Sequence, residues 1–117
     1  MSKKVREAAL DILEFVEKNG AYSNLVLNNT INKNKYSSMD AALLTELCYG
    51  TLQRQLTLDF FLNPFIKKQK RIDSWVRQLL RLSVYQMVYL DKIPDHAIIN
   101  EAVQIAKKRG NKGISGF

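Results

Sequence analysis

Cysteine and histidine are almost missing from this chain, with one of each in 117 residues, and proline and tryptophan are scarce too, at two and one. One cysteine closes no intramolecular disulfide, and one cysteine with one histidine cannot complete a four-coordinate zinc site from this chain alone. No metal is therefore expected, and a reducing, cytoplasmic setting fits. The glycines form no Gly-rich turn between a strand and a helix, so the residues give no ground for a nucleotide or S-adenosylmethionine pocket. Long hydrophobic runs are absent as well. The opening MSKKVREAALDILEF is interrupted by Glu7, Asp11 and Glu14, which makes it neither a secretory core nor a membrane span, and no membrane partner is expected. Alternating period-2 runs, the mark of half-buried strands, are also lacking.

What the chain does have is helical periodicity and positive charge. Eighteen Lys and Arg against eleven Asp and Glu give a net charge of +7 and a pI near 9.6, an excess that favours polyanionic partners. Hydrophobic residues make up 46% and charged residues 25%, an ordinary globular balance, and the length suits one domain over residues 1–117.

The fold class expected is all-α. Val5, Ala8, Ala9, Ile12, Leu13 and Val16 follow i, i+3, i+4 spacing and Gly20 stops the pattern, which predicts a first helix over about residues 3–19. Ser23 is placed to cap a short second helix carrying Leu25, Val26, Leu27 and Ile31. From about Ser38 the apolar pattern runs on to Pro64 and is apolar on more than one side. That predicts a central helix buried by several neighbours, bent or broken near residues 55–57. KKQKR, residues 67–71, reads as an exposed basic link. Asp73 or Ser74 caps the next helix, whose inward face is read as Val76, Leu79, Leu80, Ser83, Met87 and Leu90. After Pro94, Asp95 opens a last helix with Ile98, Ile99, Ala102, Val103, Ile105 and Ala106 inward and Gly110 as its stop.

No residue is assigned a catalytic role. Cys48 shares a helical stripe with Leu44, Leu47 and Thr51, where burial raises a thiol's pKa and leaves it inert, and the single histidine is far away in sequence. Gly50 costs about 1 kcal/mol against Ala inside a helix, a cost usually offset by close approach of another helix. His96 sits in the first turn of the last helix, where the dipole disfavours imidazolium, so a surface or capping role is expected. Glu46, Asp59 and Glu101 belong to no acid–base motif and read as solvated or ion-paired.

Three basic clusters are candidates for RNA. Lys3, Lys4 and Arg6 crowd the start of the first helix, where a cation is disfavoured by roughly 0.3–1 kcal/mol unless a polyanion sits there. A Lys3–Glu7 pair with the rest solvated is the competing reading. Arg77, Arg81 and Tyr85 share a stripe with Ser74 and Gln78, able to hold phosphate and stack on an unpaired base, or equally to be a solvated face. Lys107, Lys108, Arg109 and Lys112 form the third cluster, at a helix C-terminus where cations are favoured in any case.

Longer phrases carry a resemblance. YGTLQRQLTLDFFL and WVRQLLRLSVYQMVYLDKIPDHAIINEAVQIAKKRG, with the R-x-A-A-x-x-I-L pattern from Arg6 and GAYSN at 20–24, resemble the N-terminal domain of bacterial ribosomal RNA small-subunit cytosine-5 methyltransferases, the Sun family. The IPDHAIINEAVQIAKKRG part also resembles the antitermination factors of the NusB family, whereas TELCYGTLQR is closer to the methyltransferase branch. The resemblance implies a NusB-like helical bundle that binds ribosomal RNA ahead of a downstream methyltransferase domain using S-adenosylmethionine. It places the catalytic cysteines in that downstream domain and gives Cys48 none of the chemistry. Family members continue past the position of GISGF with a helix that closes the bundle, so a bundle lacking that helix, and a fragment of a longer protein, are expected here. The other readings are an antitermination factor that binds RNA and a small ribosomal protein, and a domain that only docks on its own catalytic domain.

Overall fold

A computed structural model describes residues 3–20, 24–67 and 72–110, and among these every regular element is a helix. In chain order they are α1 (Val5–Asn19), α2 (Asn24–Asn34), α3 (Ser38–Gln53), α4 (Gln55–Ile66), α5 (Ser74–Tyr89) and α6 (Asp95–Arg109). The all-α expectation holds. The expected Ser23 cap, Lys112, the GISGF end and residues 68–71 of the basic link lie outside the described residues.

Local chemistry sets the ends. α1 stops because Gly20 adopts φ 76°, a left-handed conformation without Cβ penalty, and its N–H closes on Val16 O at 2.8 Å. Ser37, just ahead of the start of the apolar pattern at Ser38, caps α3 by accepting from Asp40 N at 3.1 Å. The expected break of the long apolar segment falls at Arg54 (φ −106°, ψ 16°), just ahead of residues 55–57.

α1 packs against α3 and α5, and the core they share holds Ala8, Ala9, Ile12, Leu13, Leu44, Leu47, Cys48, Leu58, Leu82 and Tyr85. A smaller cluster of Leu10, Leu79 and Ile105 fastens α6 to α1 and α5. At roughly 1.5–3 kcal/mol per fully buried aliphatic side chain, α6 is held far less by apolar burial than α3 is.

Three expected faces need correction. α5 is rotated from its expected setting: Gln78, Arg81, Leu82, Tyr85 and Gln86 are buried, while Leu80, Ser83, Met87 and Leu90 are only half-buried. Its polar groups are tolerated inside because each has a partner. Gln78 Nε2 donates to Glu17, Arg81 forms a fork on Asp59, and Gln86 Oε1 accepts from Arg6 Nε at 2.6 Å. α6 buries Ile98 and Ile105 but leaves Ile99 and Val103 about half exposed, so an apolar groove of ≈ 350 Å³ remains open between α5 and α6. α4, expected to be surrounded, exposes Leu56 (86%), Phe60 (74%) and Phe65 (74%).

Candidate nucleic-acid interface

The start of α1 forms one wall of a cleft of ≈ 640 Å³ whose other walls come from α2 and α6; Lys3, Lys4, Lys33 and Lys108 line it together with Glu7 and Asp11. Lys4 occupies the N-cap position with extended φ/ψ and offers no side-chain acceptor to the helix, so the first-turn N–H groups are uncapped by it. Lys3 is fixed more firmly. Its N–H donates to Asn34 Oδ1 at 2.8 Å, its carbonyl accepts from the Tyr36 hydroxyl, and its ammonium meets Asp11 rather than Glu7. Burial, followed by the fields of Asp40, Asp11 and Glu7, raises the Tyr36 pKa, which keeps that hydroxyl a donor.

The remaining cations divide by their partners. Arg6 bridges Gln86 and Glu101, its Nη1 lying 3.3 Å from Glu101 Oε2, and so ties α1 to α5 and α6. Lys108 reaches Glu7 at 3.0 Å, and Arg109 clasps both Asp11 and Glu14 while its guanidinium lies 5.9 Å from the Trp75 ring centroid. Lys4, Lys33, Arg77 and Lys107 have no ion pair among the described residues. Of the first cluster, then, only Lys4 is uncommitted; of the described members of the third, only Lys107.

The Arg77–Arg81–Tyr85 stripe is not the solvated face expected from spacing. Arg81 is 7% exposed and grips Asp59 through two hydrogen bonds of 2.7 and 2.8 Å. Tyr85 is 4% exposed, gives its hydroxyl to Glu46 and lies against Gly50. Its pKa is pushed up to about 12, chiefly by burial and then by the Glu46 hydrogen bond. A base cannot reach that ring without unpacking the core. Only Arg77 of the three stays accessible, half-buried at the helix edge.

Cys48 is fully buried, and burial alone pushes its pKa up to about 12. Among the described residues no three His, Cys, Asp or Glu side chains are gathered as a metal would need, and no helix is long and apolar enough to cross a membrane. His96 is exposed.

The cleft between the first turn of α1, α2 and α6 thus gathers Lys3, Lys4, Lys33 and Lys108 with Glu7, Asp11 and Glu101. Residues 3–117 match the NusB family. The chain belongs to that family. Within it, the chain is 57% identical over 113 residues to the "Probable ribosomal RNA small subunit methyltransferase B" of Bacillus subtilis, a match covering 97% of this chain and 25% of that protein. A Synechocystis protein of the same name is 33% identical over 94% of this chain and, again, 25% of its own length. The "Transcription antitermination protein NusB" of Bacillus velezensis is 32% identical over 98% of this chain and 87% of its own length. This chain of the NusB family thus spans about a quarter of the length of the methyltransferase relatives and nearly all of an antitermination relative.

Lys33 and Arg54 were missed as candidates from sequence. Lys33 sits in a polar Asn-rich helix end where nothing marks it, and only the packing of α2 beside α1 brings it to the cleft. Arg54 stands in the very signature TELCYGTLQR, a signal that was legible.

Proposed function

We propose that residues 1–117 form one RNA-binding domain that places an attached S-adenosylmethionine-dependent cytosine-5 methyltransferase on small-subunit ribosomal RNA in the cytoplasm. The observation that carries this is the 57% identity, across nearly the whole chain, to a protein named for that methyltransferase, of which this chain spans one quarter. The cofactor and the chemistry belong to the remaining part of such a protein; the part played here is to hold RNA. Lys4 and Lys33, uncommitted at the cleft by α1, are the first phosphate contacts, whereas Lys107, at the α5–α6 groove, and Arg77, on α5, stand apart from that cleft as further cations without an ion pair among the described residues. Lys3, Lys108 and Arg109 can join only by exchanging carboxylate partners for phosphate, and Lys112 continues the last basic run in sequence.

A second reading draws on the exposed apolar side chains of α4 and the open groove between α5 and α6: docking on the protein's own catalytic domain. Both roles fit on one domain, since the basic cleft lies between α1, α2 and α6 and not on α4.

The test is binding of single-stranded RNA across a salt series. Each neutralised phosphate contributes about −0.7 to the log–log slope, so a handful of contacts gives roughly −2 to −4. Lys4→Glu with Lys33→Glu should reduce both affinity and slope while leaving folding within about 0.5 kcal/mol, because exposed charges add little to stability. Absence of salt-dependent RNA binding by the parent refutes the RNA role and leaves docking in its place.

A further inference from the structure

The signature TELCYGTLQR is not used by the cleft at α1, yet its polar residues converge elsewhere. Glu46, Tyr49, Gly50 and Gln53 recur at i, i+3, i+4 and i+7 on α3, one face of the helix. With Arg54 at the break before α4 and Tyr85 from α5, they line a second cleft of ≈ 540 Å³.

Two features of this cleft select for a flat, hydrogen-bonding ligand. The first is a group of planes at its edge. The Tyr85 and Tyr89 rings stack at 5.3 Å between centroids, 28° from parallel, and the Arg54 guanidinium lies 4.5 Å over the Tyr89 ring. Arg54 is exposed, lines the cleft with Glu46 and has no ion pair among the described residues, so its guanidinium is available to a further π-system. The second is a directed acceptor. Glu46 takes the Tyr85 hydroxyl on Oε2, and its Oε1 has no partner among the described residues. The Tyr49 ring closes the side of the cleft, with its hydroxyl donating to Asn24 Oδ1 at 2.6 Å.

We propose that this cleft takes one unpaired RNA base bearing an exocyclic amino group, stacked on the Arg54 guanidinium and donating that amino group to Glu46 Oε1. An ionised carboxylate only accepts, so it pairs with the N4 amino group of cytosine and opposes the O4 carbonyl of uracil. The inference rests on the RNA-binding role above but uses none of the α1 cations, and it can fail without them.

The experiment compares oligocytidine and oligouridine of equal length by fluorescence anisotropy at fixed salt. Phosphate count is then the same, and the ratio of affinities isolates the base. The parent should favour oligocytidine by about tenfold, the order expected for one discriminating base contact. Arg54→Gln should weaken both oligomers several-fold. Glu46→Gln is the decisive variant: the amide still accepts from Tyr85 but can now donate to uracil O4, so oligouridine should gain and the ratio fall towards one. A partly unfolded variant would scale both affinities alike and leave the ratio unchanged. Equal affinity of the parent for both oligomers, or a Glu46→Gln ratio like the parent's, overturns the base pocket while leaving the phosphate-binding cleft intact. Failure of the parent to bind either oligomer overturns both.

Discussion

Gly50→Ala sets helix propensity against the close approach expected at Gly50, which the structure shows as Tyr85 of α5 lying against it. Helix propensity alone says it should stabilise α3 by about 1 kcal/mol. The structure says otherwise, because a Cβ at position 50 would fall 2.0 Å from Cζ and Oη of Tyr85 and 2.5 Å from Cε1. The ring cannot swing aside freely: Tyr85 is buried, stacked on Tyr89 and hydrogen-bonded to Glu46. Overpacking of this kind costs about 1–3 kcal/mol, and losing a hydrogen bond to a carboxylate adds roughly 1.5–3 kcal/mol. After subtracting the propensity gain, the variant should be destabilised by about 1.5–5 kcal/mol in urea unfolding followed by far-ultraviolet circular dichroism at pH 7. Tyr85→Leu removes the obstructing end of the ring while keeping apolar volume. On that background Gly50→Ala should be neutral or stabilising by up to about 1 kcal/mol. Equal cost in the two backgrounds, or a Gly50→Ala protein as stable as its parent, refutes the close contact.

Arg81→Met should cost about 1–3 kcal/mol of stability, since it leaves Asp59 without its fork partner, and it should leave RNA affinity per folded molecule unchanged; unaltered stability with weakened RNA binding would return Arg81 to the interface. Stability should also fall in alkali. The folded chain holds the Cys48 and Tyr85 protons more tightly than the unfolded chain, whose groups ionise near 9.0 and 10.0, so their contribution is complete below pH 9 and declines from there to about pH 12. Urea midpoints at pH 8, 9.5 and 10.5 should decrease in that order, Cys48→Ala should remove the earliest part of the decline, and the Cys48 thiol should label slowly at neutral pH until urea unfolds the chain; a flat profile with fast labelling contradicts the burial.

The helices that depend on local chemistry were legible in the sequence. α1 shows its 3.6 period and its Gly20 stop, α6 its Gly110 stop, and Cys48 its apolar stripe. The face of α5 was not, because its buried members include Gln78, Arg81 and Gln86, polar residues that periodicity assigns to water. Their partners are Glu17, Asp59 and Arg6, residues remote in the chain, and nothing local announces such a pairing. The same gap explains the candidate site. Lys3, Lys4 and Arg6 were found as a cluster, but that Arg6 is spent on Gln86 and Glu101 while Lys33 joins the cleft depends on how helices pack, not on spacing along one of them.

The attachment of α6 has a consequence for motion. It is held by a small apolar cluster and by charge: Arg6 to Glu101, Lys108 to Glu7, and Arg109 to Asp11 and Glu14. Ion pairs open to solvent weaken as the Debye length shrinks, from about 10 Å at 0.1 M salt to about 3 Å at 1 M, whereas the apolar contacts of α3 and α5 do not. α6 therefore opens more readily than α3 by local unfolding at high salt, and its amide protons should exchange with solvent faster as ionic strength rises while those of α3 keep their protection. Salt thus acts on this domain as a release for one helix, setting how often the carboxylates of α1 are uncovered.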